Sequence, residues 1–567
     1  MTTPIIQHRA LNLRHDRLSR QKVRGAVAGN VEVAINDPSI AGILRRGAER
    51  SPNGPCLTYE GQTRSWRQVY ERASRVGQGL QRAGLQFQDR ISYIAKNRPE
   101  FYEISFGASM AGVVIGAVNW RLAPCEMASL INHADVRILF VEEEFLPAVR
   151  EIRSELRTVE SVVVIGDDSK EPNPVTPHLR TSTSRLEEGF ESWLRRHPAE
   201  DPQVPVSESD IALQIYTSGT TGLPKCAMFT NRAVRATFAM AEVTQVDEDS
   251  VVLVPMPVFH AAGSSTGFMA LSVGAHCVIV REPDPASLLA AIERCRVTMT
   301  IVVPAVLKTL LETPGIEARD LSSLHTIAYA ASPISPALLR ASLERFDCRF
   351  IQIYGTTETS GVTALPPEDH TDPAHPERLL SAGKALRGNS IRVVDPATGT
   401  VVPDGTVGEV WIKAPTNTVG YWNAPDETAA TVTEDGYVRS GDGGYLRDGY
   451  LYLRDRIKDM IVTGAENVYP VEVENVLLAH HAIVDAAVIG VPSEKWGETV
   501  CAILVKDPAH PELTENEVIA YVKANLAGYK CPTLVEFVGE LPRNPSGKIL
   551  KRELRQPFWE GRERNIG

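Results

Sequence analysis

The sequence predicts an α/β protein: a large N-terminal domain of αβ-layered, largely parallel sheets with a β-rich subdomain, then a small α+β C-terminal domain. Three observations predict it. Short apolar β-type runs alternate with amphipathic helical patterns up to about residue 390, as strand–helix–strand crossovers require. From about Ile391 the strands become closely spaced and joined by tight turns. At 567 residues the chain exceeds what one hydrophobic core organises, so several domains are expected.

In chain order, "RISYIA" from Arg90, "RILFVE" from Arg137, "SVVVIG" from Ser161, "VVLVPMP" from Val251, "HCVIV" from His276, "TIVVP" from Thr300 and "FIQIYG" from Phe350 read as strands. Runs this apolar and β-branched suit a sheet covered on both faces. "PASLLAAIERC" from Pro285 reads as a helix with one apolar stripe. The uncharged stretch between Glu103 and Arg121, rich in Gly, Ala and Ser, reads as a packed helix followed by a buried strand, not a membrane span. "IRVVD", "GEVWIKAP" and "RDGYLYLRDR" form the β-rich subdomain, about residues 391–456 of a large domain spanning 36–456. After Lys458, the helix start "YPVEVENVLLAH" and the strands "AAVIGVP" and "CAILVKD" form the small domain, residues 457–567. There is no internal repeat and no low-complexity tract.

A formal net charge of −11 argues against nucleic acid as a partner. The eight cysteines are scattered without CxxC or zinc spacing, so reduced thiols in a cytoplasmic protein are expected. Residues 1–35 differ from the rest. Within the first 30 of them, Arg9, Arg14, Arg17, Arg20, Lys22 and Arg24 face a single acid, Asp16. A solvated extension is the plain reading; a transit peptide or an arm making peripheral membrane contact stays open.

The stretch "YTSGTTGLPK", Tyr216 to Lys225, follows the apolar run Ile211–Ile215. It is not the P-loop motif: its glycines are too close together and Lys225 comes too late. The same physics applies, because glycines let backbone N–H groups converge on an anion, hydroxyls add donors and a lysine adds a mobile charge. Taken alone, the stretch divides evenly between a polyphosphate site and a polar surface turn.

It is accompanied, in order, by "PMPVFH" ending at His260, "YAASP" from Tyr329, "IYGTTET" from Ile353, "SGDGGYL" from Ser440, "RDRIKDMIVTGAENVYPVEVE" from Arg454 and "PRNPSGKILKREL" from Pro542. This set resembles the adenylate-forming (AMP-binding) enzymes, and within them bacterial fatty-acyl-CoA synthetases, over roughly residues 40–560. The resemblance implies a reaction in two steps. A carboxylate attacks the α-phosphate of ATP, giving acyl-adenylate and pyrophosphate, and the thiol of coenzyme A then displaces AMP. It also implies residue roles. Thr217, Ser218, Gly219, Thr220, Thr221, Gly222 and Lys225 would hold the β- and γ-phosphates. Glu358, assisted by Thr217, would bind Mg2+, a hard cation suited to oxygen ligands. Tyr354 would stack on adenine, beside Gly355 and Thr356, with Ala330, Ala331 and Ser332 opposite. Thr357 would reach the α-phosphate, and Asp442 and Arg456 the ribose; read from the residues alone, Asp442 is equally a turn residue between glycines. His260 would gate the acyl site. Lys548 would be the catalytic lysine of a mobile C-terminal domain that pivots near Lys458 and presents the loop at Gly464 to the pantetheine of CoA.

Two positions depart from the usual pattern: Cys226 and Ala465 stand where glycine is common. Glycine at 355 is read as leaving the acyl tunnel open, with Ala261, Ala262, Gly263, Val302, Val303, Ala330 and Ala331 as its lining. No lining charge is present to pair a second carboxylate or an ammonium. Each buried methylene contributes about 0.8 kcal/mol, which favours a medium- or long-chain fatty acid. An aryl-CoA ligase, and a ligase loading a carrier protein, are the alternatives within this chemistry. No carrier domain with its own attachment serine is expected after Lys548, which does not favour the carrier-loading alternative. An inactive lipid-binding or scaffold homologue is the alternative outside it. A homodimer stays open.

Overall fold

The computed structural model describes residues 37–166, 187–217, 225–332, 334–456, 459–463, 466–493, 496–543 and 549–560. For 455, 456, 462, 466 and 467 the backbone alone is described. The protein is mixed α/β, with a large N-terminal domain of parallel sheets and a small C-terminal domain.

Seven strands form one sheet, in the order Glu187–Gly189, Ser161–Ile165, Val136–Glu142, Arg90–Ile94, Val114–Ala117, Ile211–Thr217 and Lys225–Thr230. Every neighbouring pair is parallel except the last, which is an antiparallel hairpin. A second sheet has thirteen strands. Its parallel run passes through Arg349–Tyr354, Thr326–Ala330, Met299–Val302, Val251–Val254, His276–Ile279 and Pro55–Tyr59. The antiparallel strands Ser390–Val394, Gly408–Lys413, Val438–Arg447 and Tyr450–Arg456 continue this same sheet through the short strands Lys384–Ala385 and Thr363–Leu365. The β-rich region is thus an outgrowth of the large sheet, not a sheet of its own.

The helix over 285–295 has the bounds its pattern predicts, started by the Asp284 side chain accepting from Ser287 N. The uncharged stretch after Glu103 splits as predicted, between the fully buried helix Pro99–Met110 and the buried strand Val114–Ala117. That helix packs on Trp66–Arg82, which opens with a Ser65–Gln68 capping box. Gly107 permits the approach: a Cβ there would sit 2.5 Å from the Ala73 carbonyl oxygen. Phe101, Tyr102 and Phe106 then pack edge-on or tilted against Phe268 of helix Ala261–Ser272. All four rings are fully buried, each contributing roughly 1.5–3 kcal/mol over an exposed ring. The cluster locks the helix that begins just after His260.

The small domain holds a sheet ordered Glu466–Val468, Ile461–Thr463, Gly497–Lys506 and Ile483–Ser493, with Leu534–Phe537 added in parallel to Gly497–Lys506. Its helix Pro470–Leu478 lies against Ile483–Ser493 and also meets Tyr450–Arg456 of the large domain. The helix Lys551–Trp559 returns to the start of the domain, where Arg555 pairs with Asp459 at 2.7 Å. No described helix is long and apolar enough to cross a membrane. All eight cysteines are free of disulfides, and Cys125 alone is exposed.

Candidate active site

The hairpin puts Thr217 and Lys225 at facing positions, so the two ends of the polar stretch meet at one sheet corner. Residues 218–224 themselves lie outside the described residues, as do Lys458, Gly464, Ala465 and Lys548; Arg456 is described by its backbone alone. Cys226 is an interior strand residue opposite Tyr216, and burial pushes its thiol up to about 12, so it stays protonated and inert.

A strap formed by residues 416–422 joins this corner to the loop carrying Glu358. On one side Val419 N donates to Met228 O (3.1 Å), Met228 N to Gly420 O (2.9 Å) and Trp422 N to Cys226 O (2.8 Å). On the other, Thr418 N donates to Glu358 O (2.7 Å) and Thr416 Oγ1 to Thr359 O (2.5 Å). Tyr421 completes the joint: its hydroxyl donates to Glu358 Oε1 at 2.7 Å, while Lys225 Nζ lies 5.2 Å from its ring centroid.

The nucleotide wall is built where strands end. Tyr354 closes Arg349–Tyr354, and its hydroxyl donates to Asp442 Oδ2 at 2.8 Å. Asp442 sits inside strand Val438–Arg447, not in a free turn, at a register shift. Gly441 takes φ +71° there, and Glu409 accepts from Gly441 N at 3.1 Å while also holding Trp411 Nε1 at 2.7 Å. The Cα of Asp442 faces that of Arg456 on the next strand. Across from Tyr354, Ala330 ends its strand and Ala331 turns at φ +73°, a left-handed conformation that costs alanine about 1 kcal/mol. Behind them His370 Nε2 meets Tyr329 Oη at 3.0 Å and Nδ1 meets the Pro366 carbonyl at 2.9 Å. Burial lowers the His370 pKa, which keeps the ring neutral, with Nδ1–H donating to the carbonyl and the phenol donating to Nε2.

The loop from Gly355 to Gly361 folds back so closely that a Cβ at 355 would lie 1.5 Å from the Ser360 carbonyl oxygen. The expectation that Gly355 leaves acyl space is therefore corrected, because backbone already fills that space. On the acyl side His260 precedes helix Ala261–Ser272 with its ring 4.5 Å from that of Phe259. Ala261, Ala262, Val303, Ala330 and Ala331 line the cleft as expected. Gly263 and Val302 do not. Gly263 presses against the Pro257 carbonyl, and Val302 is buried in the core of the large sheet. Met240, Met256, Met269 and Ile301 supply apolar lining in their place.

Thr217, Lys225, His260, Ala330, Ala331, Ser332, Tyr354, Gly355, Thr356, Thr357, Glu358 and Asp442 all line one cleft of about 3950 Å³. That is well above the roughly 300–1,000 Å³ of a single small-molecule site, because the cleft runs on between the large and small domains. Lys551, Arg543 and Arg555 of the small domain line it too.

The sequence model of the AMP-binding enzyme family matches residues 44–422, and that of the AMP-binding enzyme C-terminal domain matches 472–548. The chain belongs to the AMP-binding enzymes. It is 36% identical to the fatty acid–[acyl-carrier-protein] ligase ScoC of Streptomyces coeruleorubidus, over 92% of this chain and 96% of that one. It is 34% identical to a feruloyl-CoA synthase of an Amycolatopsis species, over 90% and 98%. Among solved structures, ATP-bound MatB from Rhodopseudomonas palustris superposes with a TM-score of 0.81 at 26% identity, covering 91% of this chain and 99% of that one.

The AMP-binding enzyme thus shares a family with acyl-CoA and acyl-carrier ligases, whose members use ATP and differ in the acid they take. Sequence reasoning about its site missed Tyr421, Glu409 and His370. "GYW" at 420–422 carried a signal, a glycine before two aromatics in a polar stretch. Glu409 and His370 carried none, because each acts through a partner distant in sequence.

Proposed function

We propose that this AMP-binding enzyme activates a hydrophobic carboxylic acid with ATP, through an acyl-adenylate, and transfers the acyl group to CoA. The observation that carries the reading is the convergence on one cleft of a Lys225–Glu358 corner, a Tyr354–Asp442 wall and an apolar lining. Lys225 and the hydroxyl-rich stretch take the leaving phosphates; Tyr354 and Asp442 take adenosine; His260 separates the acid. Thr217 and Glu358 fit Mg2+. Both offer hard oxygen donors, and Glu358 Oε2 has no protein partner among the described residues. Bound there, Mg2+ would neutralise phosphate charge as pyrophosphate departs. By its motif, Lys548 is assigned to steady the α-phosphate and acyl oxygens.

The lining of Ala261, Ala262, Met240, Met269 and Ile301 favours medium- to long-chain fatty acids. Transfer to a carrier-protein thiol is a second reading, favoured by the similarity to ScoC. Pyrophosphate release across straight-chain acids from about two to sixteen carbons, benzoate and a feruloyl-type acid, with CoA or holo-carrier protein as acceptor, tests both. An optimum at acetate or an aryl acid removes the fatty-acid assignment. No pyrophosphate with any acid removes the adenylation reading.

A further inference from the structure

We infer that Tyr421 is a positioning residue that aims the Glu358 carboxylate and couples it to Lys225; this rests on Glu358 being the metal ligand. Tyr421 is buried, with 6% of its surface exposed, yet makes four separate connections. Its backbone bridges Ala227, one residue past Cys226 on the strand that starts at Lys225. Its N–H donates to Thr428 Oγ1 at 2.9 Å, which fixes it from the opposite side. Its hydroxyl gives Glu358 Oε1 a 2.7 Å hydrogen bond, and its ring face lies beneath the Lys225 ammonium.

The geometry separates the two carboxylate oxygens by task. Oε1 is engaged by the phenol, and Oε2 is left for a cation. Among the described residues, no side chain other than Tyr421 hydrogen-bonds the Glu358 carboxylate to set its rotamer, while Thr418 holds the Glu358 backbone. The same ring bears the ammonium on its face and the carboxylate at its edge. Each is then available to an anionic, metal-bearing ligand between them.

The test is Mn2+ binding, followed by electron paramagnetic resonance, in the presence of a non-hydrolysable ATP analogue. Metal-free binding of that analogue is read on the same preparations. Tyr421→Phe keeps the ring and removes the donor; it is expected to weaken Mn2+ half-saturation about tenfold, leaving metal-free binding within about twofold. Replacing Tyr421 with 4-aminophenylalanine, which donates from the same ring position, should restore the wild-type value. Replacing it with 4-methylphenylalanine, which fills the same volume without donating, should not, and this pair decides the matter should the phenylalanine variant fold poorly. Glu358→Gln must itself weaken Mn2+ binding, and Tyr421→Phe should add nothing to it. If Glu358→Gln leaves the metal unaffected, the metal-ligand reading fails. If Glu358→Gln weakens it and Tyr421→Phe does not, or both ring analogues behave alike, the positioning role fails.

Discussion

Tyr354 and Asp442, 88 residues apart in the chain, are joined by a 2.8 Å hydrogen bond from the phenol to Oδ2. The residue proposed to stack on adenine is thus held by the residue proposed to hold ribose. A hydrogen bond to a charged group contributes about 1.5–3 kcal/mol, of which solvent competition in the cleft leaves a part. Tyr354→Phe is expected to raise KM for ATP about tenfold with a smaller change in kcat, read from initial rates against ATP. A change confined to kcat would assign the bond to the chemical step.

Lys548 lies outside the described residues, and its role is a proposal from "PRNPSGK". Lys548→Ala should slow adenylation by two or more orders of magnitude, about 2.7 kcal/mol or more of lost charge stabilisation. Thioester formation from supplied acyl-adenylate should fall far less. Equal loss in both half-reactions would mean that one domain arrangement serves both.

Gly355 is a packing requirement, not an opening. Any side chain there meets the Ser360 carbonyl, and Ser360 is itself at φ +55°. Gly355→Ala should destabilise the protein by roughly 1–3 kcal/mol and depress turnover on every acid. Gly355→Trp is expected to unfold the loop, not to shorten the preferred chain. A Gly355→Trp protein with an intact melting temperature and a shift to acetate would overturn this account.

Burial lowers the His370 pKa below its unfolded value. A group depressed in this sense stabilises the fold above the unfolded pKa near 6.5 and loses that contribution as pH falls below it. His276 and His197 are lowered for the same leading reason, so their contributions follow the same sign. The melting temperature should therefore drop from about pH 7.5 to about 5.5, a window that spans the unfolded histidine pKa, and drop less in His370→Asn. An identical pH slope in that variant would show that His370 takes up no proton on unfolding in this range.

What the sequence disclosed follows from what is local. The helix over 285–295, the buried strands at 90, 161 and 276, and the split after Glu103 are encoded by periodicity and end signals within a few residues. The residues proposed for the site stand out in the sequence because their motifs are contiguous strings. Three things were hidden, each for a physical reason. The continuity of the β-rich region with the large sheet rests on the two-residue strand Lys384–Ala385, too short to carry a pattern. The crowding at Gly355 depends on a loop folding back, which the identity of one glycine does not report. Asp442 reads as a turn in "SGDGG" because the bulge that seats it in a strand is held from outside, by Glu409.

The strap at 416–422 bears on where this protein can be cut. A fragment ending before Pro415 would keep every parallel strand of both large-domain sheets, yet would lose the piece that pins the Lys225 strand to the Glu358 loop. The family match itself runs to residue 422, the last residue of the strap, and not to the end of the parallel strands. Thr428, which holds Tyr421 N, lies in the helix Pro425–Thr431, so for split reporters or circular permutants built on this scaffold the permissive breakpoint is beyond that helix. Exposed Glu434, in the turn that follows it, marks the first such place.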